Sequence, residues 1–225
     1  MPIDFDGEFM RWGEWLEGPI YQDIIGMVAA RQIWQDFQDL VDEAQRNALR
    51  TFGTFNSWLS RSYAATQAVG LRRQAEVRND VVSLGRLLDR MARYPAIVSR
   101  ERYMADVENG LQKLATEWFE AFAIPGADIL NPAIPAQDLE DLIARTAHVR
   151  RWVNKAVAHW DDGAHRYGNM GLTFGHLHEL VDFVFGLLNK YSQIVRRTTI
   201  IGEVAMDPWQ EAFRVAWLPP ADDMD

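Results

Sequence analysis

Residues 21–50, YQDIIGMVAARQIWQDFQDLVDEAQRNALR, decide the fold class. Ile24, Ile25, Val28, Ile33, Trp34, Phe37, Leu40, Val41 and Ala44 recur at three- and four-residue steps, with acids and amides between them. That period puts one apolar stripe along a helix and leaves the other face to water. The spacing predicts one long amphipathic helix over the whole stretch.

The same period continues outward. Thr51-Phe52-Gly53-Thr54 is a break, after which Thr54 can cap a second helix over 55–78. Ser83 opens a third over 84–94, stopped by Pro95. A fourth begins at Ser99 or Arg100 and ends before Pro125-Gly126. Residues 124–135 carry Pro125, Pro132 and Pro135 and read as an inter-helix loop, because neither half of the chain closes a core alone. A fifth helix over 137–160 stops at Asp161-Asp162-Gly163, Thr173 caps a sixth over 174–195, and a short last helix covers 208–217. Period-two alternation, the mark of strands, is nearly absent. The expectation is an all-α, multi-helix bundle over 20–217. Residues 1–19 form an N-terminal extension and 218–225 an acidic tail. Trp12 and Trp15, set among acids, are expected to pack on the bundle or on a dimer partner.

Composition narrows the function classes. With 48% hydrophobic residues and 9 Trp, 11 Phe and 6 Tyr, the 225-residue chain has ample material for a core. A formal charge of -9 argues against a general polyanion binder, so contact with nucleic acid requires a local basic surface. The absence of cysteine excludes disulfides, thiolate metal sites and a cysteine nucleophile. Residues 1–17 have neither the basic start nor the apolar run of a signal peptide. No apolar stretch approaches the roughly 20 residues that span a bilayer. A cytoplasmic protein without a membrane partner is expected.

A local basic surface is on offer. Residues 61–102 hold nine arginines (61, 72, 73, 78, 86, 90, 93, 100 and 102) against Glu76, Asp80, Asp89 and Glu101, a net of +5 by nine minus four. Guanidinium groups grip phosphate bidentately, which makes Arg72, Arg73 and Arg78 candidates for nucleic-acid binding. The competing reading pairs these arginines with acids on neighbouring helices.

The candidate chemistry lies in Arg150-Arg151-Trp152-Val153-Asn154-Lys155-Ala156-Val157-Ala158-His159. A histidine at a helix C-terminus has its charged form favoured by the macrodipole, and imidazole is suited to proton transfer near neutral pH. Lys155 stands one turn before His159 on the same face. A cation beside a proton-transfer group serves phosphate-ester chemistry. A structural, helix-capping histidine is the alternative.

Asn154-Lys155-Ala156-Val157-Ala158-His159 resembles the signature of the HEPN superfamily (higher eukaryotes and prokaryotes nucleotide-binding). That signature is an arginine, a short spacer, then histidine, often with a polar residue after the arginine and alanine before the histidine. Its order with Arg72-Arg73-Gln74, Ser83-Leu84-Gly85-Arg86-Leu87-Leu88, Gly171-Leu172-Thr173-Phe174, Leu177-His178-Glu179-Leu180, Leu188-Asn189-Lys190-Tyr191-Ser192 and Asp207-Pro208-Trp209 is similar to the abortive-infection-related branch, over roughly residues 20 to 217. The resemblance implies an all-α bundle, frequently a homodimer whose two motifs meet in one cleft. In active members it implies metal-independent RNA cleavage by attack of the 2′-hydroxyl on its own phosphate, in phage defence or a toxin–antitoxin setting. His159 would move protons, Asn154 would orient phosphate or ribose, and Arg151 or Lys155 would stabilise the phosphorane charge. The chain departs from the pattern in one respect. Arg151 lies eight residues before His159, about 80° around and about 12 Å along an α-helix, while Trp152, Val153 and Asn154 occupy the places where the arginine belongs. A non-catalytic helical dimer that binds a nucleotide, RNA or a partner protein is the alternative function.

Other sites are weaker. His176 and His178 are about 200° apart on a helix and share no metal. With His148 they read as surface or interface residues. His159, Asp161 and His165 fit no standard metal spacing, and Asp161-Asp162-Gly163 lacks the remaining ligands of a calcium loop. No phosphate-cradling glycine loop and no serine nucleophile elbow is present. Neither metal nor cofactor is expected.

Overall fold

The computed structural model describes residues 3–46, 53–105, 107–157, 172–200 and 208–214. Helix accounts for 80% of the structure and the described residues contain no strand, so the chain is all-α. The helices are α1 (Phe5–Glu17), α2 (Pro19–Arg46), α3 (Gly53–Gln74), α4 (Leu84–Arg93), α5 (Arg100–Met104), α6 (Gln112–Phe122), α7 (Ala133–Trp152) and α8 (Phe174–Arg196). A π-helical turn, Val153–Val157, continues α7.

α8 is the axis of the bundle. Leu177, Val181, Val184, Leu188 and Tyr191 are buried along it, and α1, α2, α3 and α7 pack around it. α4 lies on α7 and buries Leu84, Leu87, Leu88 and Met91. The 21–50 period appears as the stripe Ile20, Ile24, Met27, Val28, Trp34, Phe37 and Val41 of α2. Residues 1–19, set apart by sequence as an extension, contribute α1 to this same core: Trp12 and Leu16 are fully buried, and Asp4 caps the helix by accepting from the Gly7 N–H.

Three boundaries differ from expectation, the first two through contacts with residues further along the chain. The second helix ends at Gln74, short of residue 78. There the Gln74 side chain accepts from the Leu84 N–H at 3.0 Å and the Ser83 hydroxyl donates to the Glu76 carbonyl, so the chain turns back to start α4. The fourth helix, expected to run unbroken to residue 124, divides into α5, a 3-10 turn (Asn109–Leu111) and α6. Arg197 donates to the Tyr103 carbonyl, taking an acceptor that a continuous helix would use, and Asn109-Gly110 sits at the new start. α7 begins at Ala133 rather than 137, with Pro135 in its first turn, where proline is tolerated. The caps at Ser83, Ser99 and Thr173 are formed as expected, accepting from Arg86, Arg102 and His176 N–H groups. The last helix is a 3-10 turn, Trp209–Arg214. Among the described residues no helix is long and apolar enough to cross a membrane.

Candidate functional site

Leu142, Thr146, Val149 and Val153 form the buried stripe of α7. The Thr146 hydroxyl donates to the Leu142 carbonyl at 2.6 Å, so a polar residue enters the core without an orphaned group. This stripe fixes which side of α7 faces outward. Arg151 and Asn154 are exposed and Lys155 is half-buried. The helix changes hydrogen-bond register at the motif itself, passing into the π turn Val153–Val157. His159, Asp161 and His165 lie outside the described residues.

On the outer face of α7, Arg145 and His148 are one turn apart and both exposed. Across from them, His176 and Glu179 project from the first two turns of α8. The four line a cleft of about 260 Å³, floored by Val149, Leu172 and Leu180. Arg151 follows His148 by three residues on α7 and is not among the residues that line the cleft. His176 and His178 diverge as their spacing requires. His178 turns inward between α2 and α3, where its carbonyl accepts from Arg31 at 3.2 Å and its ring meets Tyr63 edge-on at 6.0 Å. Burial first, then the Arg31 charge, lowers the His178 pKa, with Asp182 opposing. The sequence predicts His148, His176 and His178 at the surface or an interface; His148 and His176 are exposed, whereas His178 is turned inward by the phase of α8. The cleft that His148 and His176 share was detectable only by pairing the polar face of α7 with the start of a helix beyond residue 171.

The arginine-rich segment is largely committed to internal ion pairs. Arg73 forms a two-pronged pair with Asp23 of α2, and this hydrogen bond holds its guanidinium above the ordinary value. Arg78 stands 3.8 Å from Glu76 and 3.5 Å from Asp80. Arg90 reaches Glu8, Arg93 reaches Asp89, Arg100 reaches Asp128, and Arg102 reaches Asp6. Arg86 lies over the Trp15 ring at 4.5 Å and donates to the Val81 carbonyl. Arg72 is half-buried and makes no ion pair among the described residues. Arg73 and Arg78 therefore both stand beside carboxylates, Arg73 hydrogen-bonded and Arg78 in looser, exposed pairs.

A second concavity, about 380 Å³, runs between α2 and α3. Trp34, Phe37, Phe55, Tyr63 and Trp209 line it, and its walls are almost wholly apolar. Among the described residues no three His, Asp or Glu side chains are grouped to hold a metal ion. No family model, curated protein or solved structure matches the chain.

Proposed function

We propose that the protein is a HEPN-like helical homodimer acting on RNA as a metal-independent endoribonuclease, in phage defence or a toxin–antitoxin setting. The observation that carries this reading is the π turn. An α-helix leaves Arg151 and His159 about 80° apart. A π turn closes on i→i+5 and takes in one extra residue, so a helix carried on through it would give eight positions the phase of seven, within about 20° of one face. The turn at Val153–Val157 falls between the two residues, where the motif is one residue too long. In this reading His159 takes the proton from the ribose 2′-hydroxyl, whose oxygen attacks the adjacent phosphorus and expels the 5′-oxygen. Arg151, with Lys155, stabilises the charge that builds on the phosphorane. Asn154 orients the phosphate or ribose, and Arg72 adds a backbone contact.

The test is cleavage of RNA by purified protein in EDTA. We expect His159→Ala to abolish cleavage and Arg151→Ala to lower it by about 100-fold, with circular dichroism unchanged. Cleavage that survives His159→Ala refutes the assignment.

The ion pairs of Arg73 and Arg78 favour a second reading, a non-catalytic helical dimer that binds a nucleotide, RNA or a partner protein. The aromatic α2–α3 groove is its natural surface, and the overall acidity suits a protein more than RNA. RNA binding without a steep salt dependence would support it over the first.

A further inference from the structure

The cleft between α7 and the start of α8 brings a guanidinium and two imidazoles together. Most of the arginines in residues 61–102 spend their donors on carboxylates. Arg145 does not. Its guanidinium lies over the Phe183 ring at 4.4 Å. A π face positions the cation without using any of its five N–H groups. Among the described residues Arg145 makes no ion pair, in a chain with 32 acids to 23 Lys and Arg. Two imidazoles share the cleft with it, His148 from α7 and His176 from the first turn of α8. That turn is the positive end of a 23-residue helix. Glu179 is the one acid lining the cleft.

A guanidinium fork beside two imidazole N–H donors matches a tetrahedral oxyanion. We propose that this cleft binds a phosphate group, carried by a nucleotide or by an RNA backbone. Arg145 grips two of its oxygens and His148 and His176 donate to the others. Val149, Leu172 and Leu180 form an apolar floor beneath them. Glu179 repels the anion and keeps the site weak enough to release it. These lining residues alone carry the assignment, which does not rest on the cleavage reading of His159.

Calorimetric titration of the full-length protein at low salt tests this, with inorganic phosphate, uridine monophosphate and a short oligoribonucleotide as probes. We expect saturable binding that weakens about tenfold or more in Arg145→Gln and severalfold in His148→Gln and in His176→Gln. Glu179→Gln should tighten it. Binding of phosphate and the mononucleotide assigns the site to a small ligand, and binding of the oligoribonucleotide alone assigns it to the RNA backbone. Unchanged affinity in Arg145→Gln, or no binding of any probe, overturns the proposal. His159→Ala should leave phosphate affinity unaltered, which separates this site's failure from that of the cleavage reading.

Discussion

Glu8 of α1 accepts a hydrogen bond from Arg90 of α4 at 3.1 Å across 82 residues of sequence. It also accepts from Arg11 at 2.6 Å. The carboxylate is nearly buried, and it ties the N-terminal helix to the middle of the bundle. Glu8→Ala leaves Arg90 with a lost charge partner in a poorly solvated place. We expect a loss of about 2 kcal/mol, read from urea unfolding midpoints. A change below about 0.5 kcal/mol, the size of a surface substitution, would show that the pair is ornamental.

Gly85 is where α4 passes closest to the end of α3. A Cβ there would stand 2.9 Å from the Glu76 carbonyl oxygen and 3.0 Å from the Ala75 carbonyl carbon, both backbone atoms. Gly85→Ala should therefore destabilise by about 1–3 kcal/mol, despite alanine's better helix propensity. Gly110→Ala, where a Cβ meets nothing within 4 Å, is the matched control and should be close to neutral. Equal melting temperatures for the two variants would contradict the close approach.

Tyr63 stacks on Trp34 at 5.1 Å, and its hydroxyl makes no hydrogen bond among the described residues. Burial pushes its pKa up to about 12, and the Arg31 charge opposes the shift only in part. The folded value exceeds the unfolded one near 10, so the unfolded chain releases this proton first. The stability linked to Tyr63 is complete below pH 10 and falls between pH 10 and about 12. In Tyr63→Phe that part of the alkaline decline disappears, while stability at neutral pH changes by less than about 1 kcal/mol. Unfolding midpoints at pH 8 and pH 11 check both statements.

Asp23 holds Arg73 and also accepts from Gln74 at 2.6 Å. Asp23→Ala releases a guanidinium on the basic stretch. If the protein binds single-stranded RNA there, the freed Arg73 neutralises one more phosphate, and the slope of log affinity against log salt should steepen by about 0.7. An unchanged slope would place RNA elsewhere on the protein.

The π turn makes a demand that no ordinary helix makes. Deleting Ala156 shortens Arg151–His159 to seven residues, which a regular α-helix keeps on one face. Cleavage should survive this deletion, while inserting an alanine at the same place should abolish it. Loss of activity in both variants would separate the π turn from catalysis.

Long elements were legible in the chain because their period is local. α2, α4 and α8 follow from apolar spacing, and the caps at Ser83, Ser99 and Thr173 follow from residue type alone. What escaped depends on partners far away in sequence. The break between α5 and α6 owes much to Arg197, which reaches the Tyr103 carbonyl from 94 residues away. Four of the arginine ion pairs use Asp6, Glu8, Asp23 and Asp128 from outside the basic stretch, the pairing with other helices that the competing reading expects, while Arg78 and Arg93 pair with acids inside it. Whether such a stretch meets phosphate or carboxylate is decided by packing, which charge counting alone does not show. Trp12 and Trp15 pack on the bundle, one of the two places the sequence predicts, and Phe9, Trp12 and Leu16 carry the helical stripe that brings α1 there. Of the candidate site, Arg151, Asn154 and Lys155 were legible as a motif, whereas the convergence of Arg145, His148 and His176 required the meeting of α7 and α8.

The burial of α1 against α8 also sets a timetable. Glu17 and Arg196 pair across 179 residues, and α1 packs against α8 as well as against α2. At about 5–20 residues per second on the ribosome, that gap lasts on the order of ten to thirty seconds. Through this interval the nascent chain carries an aromatic-rich first helix that lacks one of the helices it packs against. Its acids, Asp4, Asp6, Glu8, Glu14 and Glu17, keep that helix soluble while it waits.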